Sequence, residues 1–436
     1  MKIHIYKDPS ALLGFLILIY TMLIGFFTYN FGVSESAFYL QDLLIILMVA
    51  TSLRRLSQII KERGLRAYGA AVIMLCVTGL LSAVMYNPTP HITIWSLRNW
   101  GRGILFFLLC CAILDQKKID TFIKLFITVY QINVLVVLIQ YFFFVDRYTV
   151  DSLNGLFGRG TSSVNLTATF IMLVLALSQF FTKKISLGRF VFYLLGVNAV
   201  AIVAELKSVM VMEVVLVFLY GFLHSKLTGK QVVRYGLIVS ATLVCAYVGA
   251  QLLAKLYPAF ADFLSLENLL SIIGNEHGYG FSGYIDRTNF ISVTNKHLFN
   301  GNVFQMLFGV GLGTAEYSAV SMFCSDFYRK FGDTYRYMRF SSSALYVETG
   351  LVGLSLFTLA HLSLLINNIK NVRRHIKNNT EPNSLYDNIG LGTTIVSVVY
   401  IFYNNLHRTD IAVLLAFFSA IPIAIARSRK AEKHMG

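Results

Sequence analysis

The chain has 436 residues, of which 56% are hydrophobic and only 14% are charged. This composition excludes an ordinary soluble domain, because stretch after stretch reaches the roughly 20 apolar residues needed to cross a membrane. The net charge of +15 does not indicate nucleic-acid binding, since the basic residues lie in short loops on alternate sides of the apolar stretches. We therefore expect an all-α polytopic membrane protein, a single domain over residues 1–436, with no nucleic-acid partner.

About twelve apolar stretches are predicted to cross the membrane. In chain order they are Ala11–Phe31, Ala37–Leu53, Ala67–Met85, Ile94–Leu114, Phe122–Phe144, Ser163–Phe181, Phe190–Ala204, Val209–Phe222, Tyr235–Leu256, Ser343–Ile366, Ile389–Tyr403 and Ile411–Ala426. The main basic clusters fall on one side when these spans are counted through. By the positive-inside rule, both termini are expected in the cytoplasm.

A long polar segment, residues 257–342, separates the ninth and tenth spans and is expected outside the membrane. It is rich in Tyr, Phe and Gly, which is not the composition of a disordered segment. Long loops inside compact proteins are usually functional when they are not disordered. We therefore expect a folded cap over a site at the membrane surface. The absence of a 6+6 repeat weakens the alternative of a two-halved transporter.

Several basic residues violate the charge bias and lie on the predicted outer side. An arginine is a fixed cation whose planar fork matches phosphate oxygens, so a ring of such residues would suit a lipid diphosphate. The candidates for binding it are Arg98, Arg159, Lys207, Arg287 and Arg339.

Lys207 is the most specific of these candidates. It lies with Glu205 in a break between two apolar spans, where ionisable groups are costly and tend to be functional. The alternative is that the two residues only neutralise each other. Arg159 lies in a glycine turn that opens a helix, where backbone can approach an anion closely. Arg287 follows Asp286, so a local ion pair is its alternative interpretation.

Two acidic residues, Glu348 and Asp286, are candidates for a general base. Glu348 follows the start of the tenth span, and a structural role as a hydrogen-bond acceptor is the stronger alternative there. No grouping of His, Asp or Glu has the spacing of metal ligands. We therefore expect neither a metal nor a cofactor.

The chain resembles the bacterial superfamily of O-antigen polymerases (Wzy-type) and O-antigen ligases (WaaL-type). The resemblance covers most of the length and includes the span number and the late outer loop. Four local motifs also carry it: Phe157-Gly158-Arg159-Gly160 with Asn165; Lys207-Ser208; Arg287 followed by Phe308-Gly309-Val310-Gly311-Leu312-Gly313-Thr314; and Tyr346 with Glu348-Thr349-Gly350-Leu351-Val352-Gly353.

The resemblance implies a GT-C-like glycosyltransferase at the outer face of the bacterial plasma (inner) membrane. Its substrate would be an undecaprenyl-diphosphate-linked oligosaccharide, which a polymerase transfers onto another lipid-linked repeat unit and a ligase onto lipid A–core. The ligase motif with histidine would fall at Arg339-Phe340, where no histidine stands. This favours the polymerase. An O-antigen ligase and a transporter or flippase stay open as alternatives, as does binding of a chain-length regulator protein.

Overall fold

A computed structural model describes residues 8–59, 62–86, 89–144, 153–158, 162–224, 284–318, 320–377 and 381–435. Within these ranges the regular structure is helical and no strand occurs. The α-helices are α1 Pro9–Phe31, α2 Leu40–Ile59, α3 Arg66–Tyr86, α4 Pro90–Ile113, α5 Gln116–Phe144, α6 Ser162–Phe181, α7 Leu187–Val203, α8 Lys207–His224, α9 Phe290–Val293, α10 Val303–Phe308, α11 Asp326–Tyr335, α12 Ser341–Lys377, α13 Glu381–Tyr403 and α14 Ala412–Met435.

Ten of the described helices are long and apolar enough to cross a membrane, and α7 is a shorter apolar helix. This confirms the prediction of an all-α multi-pass membrane protein. The predicted ninth span, Tyr235–Leu256, lies outside the described residues, so the count of twelve stays a prediction. Residues 257–283 of the predicted outer loop also lie outside them. The rest of that loop contains the short helices α9, α10 and α11.

Several helices extend beyond the apolar stretches that predict them. The helix α5 begins at Gln116 instead of Phe122, and α12 continues to Lys377 instead of ending at Ile366. Hydropathy marks only the part of a helix that matches the hydrocarbon, whereas backbone hydrogen bonding continues into the polar interface.

The long C-terminal helices form the centre of the fold. The helix α12 packs against α13 and α3, and α14 packs against α13 and α4. The helix α13 also contacts α6, which brings the second half of the chain against the first. A second, smaller hydrophobic core joins the segment before α12 to α3, α4 and α12, and it includes Trp100, Tyr337 and Tyr346.

A glycine-rich turn of the outer segment packs directly on a kink in α12. The kink is at Gly350, whose φ of 62° lies in the left-handed region. Val310 N donates to Val347 O (2.9 Å), and Gly311 N donates to Glu348 O (3.0 Å). The turn therefore supplies hydrogen bonds to helix carbonyls at a break in the helix, where such carbonyls need other partners.

We expect Gly309→Ala to lower the free energy of unfolding by about 2–4 kcal/mol. Gly309 has a φ of 74°, and a Cβ there would lie 2.4 Å from backbone atoms of Glu348 and Thr349. The measurement is unfolding of the purified protein in mixed micelles. Gly301→Ala is the matched control, because Gly301 has a φ of 76° but nothing within 4 Å of the added Cβ. An equal loss in both variants would contradict the packing role of the turn.

Candidate functional site

Segments far apart in the chain meet at the end of the helix bundle where α12 begins and α13 ends. Ser341 N donates to Asn404 O (3.1 Å), which ties the start of α12 to the end of α13. Ile285 N donates to Tyr335 O (3.0 Å), which ties the turn before α9 to the end of α11. These bonds place the turn that carries Arg287 beside the start of α12.

A cavity of about 390 Å³ opens at this place. Its walls come from α6, the turn between α7 and α8, the turn before α9, the start of α12 and the end of α13. The described lining residues are Leu166, Ala204, Glu205, Leu206, Ser208, Arg287, Arg339, Phe340, Tyr403 and Asn404. Two arginines that were predicted from the sequence therefore line the same cavity.

Two aromatic rings hold Arg287 in the cavity wall. Its guanidinium carbon lies 4.3 Å from the ring centroid of Tyr403 and 5.3 Å from that of Phe340. Its Nε also donates to the Tyr403 carbonyl (3.4 Å). An arginine stacked on aromatic faces keeps its planar donor edge in a defined orientation.

Asp286 shapes the turn that presents Arg287. Its Oδ1 accepts hydrogen bonds from Thr288 N (2.7 Å), Thr288 Oγ1 (2.8 Å) and Asn289 N (2.8 Å). An Asp that bonds to backbone two and three residues ahead stabilises a turn. Asp286 is not among the described residues that line the cavity. These contacts favour a structural role over the predicted role of general base.

The turn between α7 and α8 forms another part of the cavity wall. Glu205 has a φ of 51°, which is uncommon for a residue with a side chain. Leu206 N donates to Ala201 O (2.7 Å) and Val209 N to Leu206 O (2.9 Å), so hydrogen bonds fix the turn on both sides. Ser208 is 6% exposed, and its hydroxyl has no hydrogen-bond partner within the described part of the chain. Glu205 and Ser208 of this turn both line the cavity, and the Ser208 hydroxyl itself is buried.

The other predicted cations have different positions. Lys207 is half-buried at the start of α8, and its neighbours Leu206 and Ser208 line the cavity. Arg159 lies outside the described residues.

Arg98 is on α4, where its Nε donates to Asp42 on α2 (3.0 Å) and its guanidinium lies 4.4 Å from the Trp95 ring centroid. Arg98 does not line the cavity, and its contacts hold two helices together.

Glu348 is fully buried and lies away from the cavity. Its carboxylate accepts hydrogen bonds from Trp100 Nε1 (2.8 Å), Gly313 N (3.0 Å) and Ser96 Oγ (3.1 and 3.2 Å). These donors come from α4 and the glycine-rich turn, so Glu348 joins both to α12. Of the two predicted roles for Glu348, the contacts favour the structural one.

A buried ion pair lies beside Glu348. Arg408 pairs with Glu316, which also accepts a hydrogen bond from Asn99 Nδ2 (2.9 Å). Burial alone lowers the pKa of Arg408, but the carboxylates of Glu316 and Glu348 outweigh this effect and raise the pKa. Arg408 therefore stays charged at the centre of a network of buried acids.

Sequence reasoning did not select several residues that line the cavity. The sequence pattern does not indicate Glu205 as a catalytic group, and it predicts Tyr403 only as the end of a span. The sequence feature that marks these residues is polarity at the end of an apolar stretch. Many helix ends share this feature, so it does not identify a site. The described ranges contain no group of three His, Cys, Asp or Glu side chains that could hold a metal ion.

Fold and cavity together define a class: a multi-pass α-helical membrane protein with a basic, aromatic-walled cavity at one end of its helix bundle. No protein-family model matches the chain, and no curated protein is significantly similar to it.

Proposed function

We propose that this protein is a polysaccharide polymerase of the O-antigen type. It transfers a growing glycan from undecaprenyl diphosphate onto a lipid-linked repeat unit at the outer face of the plasma membrane. The observation that carries the proposal is the presence of Arg287 and Arg339 in one cavity of about 390 Å³ at the predicted outer end of the bundle. This volume lies within the roughly 300–1,000 Å³ of typical ligand sites.

The reaction that we propose places negative charge on the leaving group. The acceptor hydroxyl attacks the anomeric carbon of the donor glycan, and the bond from that carbon to the diphosphate oxygen breaks. Undecaprenyl diphosphate leaves with the bonding electrons, so its stabilisation requires preorganised cations more than protonation. Arg287, oriented by Tyr403 and Phe340, and Arg339 would supply that charge.

The acceptor hydroxyl must also lose its proton. Glu205 is the acidic side chain among the described lining residues of the cavity. It lines the same cavity as Arg287, on a turn whose backbone is fixed by hydrogen bonds. We assign the proton to the Glu205 carboxylate, in preference to Glu348 and Asp286, because Glu205 lines the cavity whereas Glu348 and Asp286 are not among its described lining residues.

Reconstitution tests the proposed function. The purified protein is placed in liposomes with an undecaprenyl-diphosphate-linked repeat unit and no nucleotide sugar. We expect a ladder of lipid-linked polymer on a gel. Transfer of the glycan onto added lipid A–core, without growth of the chain, would identify a ligase instead. Movement of the lipid-linked unit across the bilayer without any polymer would identify a flippase and overturn the proposal.

We expect Glu205→Gln to lower the polymerisation rate constant by roughly 100-fold with a smaller change in KM. Glutamine keeps the size and polarity of the side chain but cannot accept the proton. Glu205→Asp should retain part of the activity, because the carboxylate is kept at a changed distance. The measurement is the initial rate of repeat-unit consumption in liposomes. Wild-type rates in Glu205→Gln would remove Glu205 from the chemistry.

A further inference from the structure

A second polar cavity lies at the opposite end of the same helices. It has a volume of about 270 Å³ and lies between the end of α12, the start of α13 and the C-terminal half of α14. Tyr386 lines this cavity and Tyr403 lines the first one, and both are on α13. At about 1.5 Å per residue they are separated by about 26 Å along the helix, close to the thickness of the hydrocarbon core.

The second cavity therefore lies at the other surface of the membrane, on the side predicted to be cytoplasmic. It is strongly basic. Arg374, Arg429 and Lys430 line it, whereas Asp387 is the acidic residue among its described lining residues. His375 Nε2 lies 3.0 Å from Asp387 Oδ2, so that carboxylate is already engaged.

Among the side chains that the structure describes, no acidic group lies within salt-bridge distance of either arginine of this cavity. Arg374 is on α12 and Arg429 is on α14, and both face one cavity. Lys430 is 63% exposed, and its ammonium group already pairs with Glu62 (2.8 Å). The two arginines are therefore the main cations with which a ligand in this cavity could pair. Ala426 is exposed at the same place, so the cavity is open to the membrane surface.

We propose that this cavity binds a phosphate group, most simply that of an anionic phospholipid head group in the cytoplasmic leaflet. Two guanidinium forks from different helices match the oxygens of one phosphate. Basic cavities between helix ends on the cytoplasmic side are suited to anionic head groups. The volume is below that of typical small-molecule sites, which fits a head group better than a larger solute. The site is separate from the proposed polymerase cavity and does not depend on its function.

Lipid titration tests this proposal. The full-length protein is placed in phosphatidylcholine nanodiscs, and bound phosphatidylglycerol is counted by native mass spectrometry. The variant Arg374→Gln/Arg429→Gln should bind phosphatidylglycerol roughly 30-fold more weakly, from the contribution of each cation near the surface. The charge-matched control is Lys370→Gln/Arg373→Gln, because both residues are exposed on the same end of α12 and do not line the cavity.

The control variant distinguishes lipid binding in the cavity from general electrostatic attraction of the lipid to a basic surface. Binding that falls only in the arginine variant supports the proposal, and equal weakening in both variants overturns it. Equal binding of phosphatidylcholine and phosphatidylglycerol to the wild type would also overturn it. If the double variant does not fold, Arg374→Gln gives the same comparison at an exposed position.

Millimolar inorganic phosphate is the second probe. Displacement of the lipid assigns the site to soluble phosphate, and retention of the lipid assigns it to the lipid.

Discussion

The variant Arg287→Ala/Arg339→Ala is expected to lose polymerisation by on the order of 10⁴-fold. Removing one preorganised group that stabilises developing negative charge typically costs about 10²–10³-fold, and both arginines line the same cavity. The effect should fall mainly on the rate constant, since the diphosphate carries more charge as it leaves. The measurement is polymer formation by the reconstituted protein at saturating lipid-linked substrate.

Two comparisons make this prediction specific. Arg329→Ala removes an exposed arginine of α11 that pairs with Asp326 (3.2 Å), so we expect wild-type activity. Arg287→Lys keeps the charge but loses the planar fork that stacks on Tyr403, so we expect partial activity. Polymer of normal length from the double alanine variant, at normal protein level, would contradict the proposed diphosphate site.

The second large effect is expected on stability. Arg408→Ala should lower the free energy of unfolding by about 3–5 kcal/mol, because it leaves a buried carboxylate without its cation. Arg408 pairs with Glu316, and the two side chains are 6% and 1% exposed. The buried carboxyl group of Glu348 would also lose this nearby cation. The measurement is unfolding of the purified protein in mixed micelles at neutral pH.

The pair between Arg329 and Asp326 is the natural control for burial. Its side chains are 52% and 96% exposed, and surface ion pairs contribute little to stability. We therefore expect Arg329→Ala to unfold like the wild type. A comparable loss in Arg329→Ala and Arg408→Ala would show that the effect of Arg408 does not come from burial of its partners.

The glycine-rich turn shows which structural features the sequence pattern can predict and which it cannot. The stretch from Gly309 to Gly313 predicts a tight turn, and it is one. Its role could not be predicted, because it depends on what lies against it. A Cβ at Gly311 would meet Ala83 at 2.7 Å, and one at Gly313 would meet Thr93 at 2.9 Å. The turn is therefore a packing element between α3, α4 and α12.

Hydropathy and charge are read over a few neighbouring residues, so they predict the long apolar helices of the described ranges, the membrane class and the break between α7 and α8. Which cations meet depends on how the helices pack. Arg287 and Arg339 line a cavity with Glu205, whereas Arg98 pairs with Asp42, and Glu348 is buried in a network with Trp100. These outcomes depend on contacts such as that of Ser341 with Asn404, which join segments far apart in the chain. No local pattern encodes such a contact, since it arises only when the helices pack.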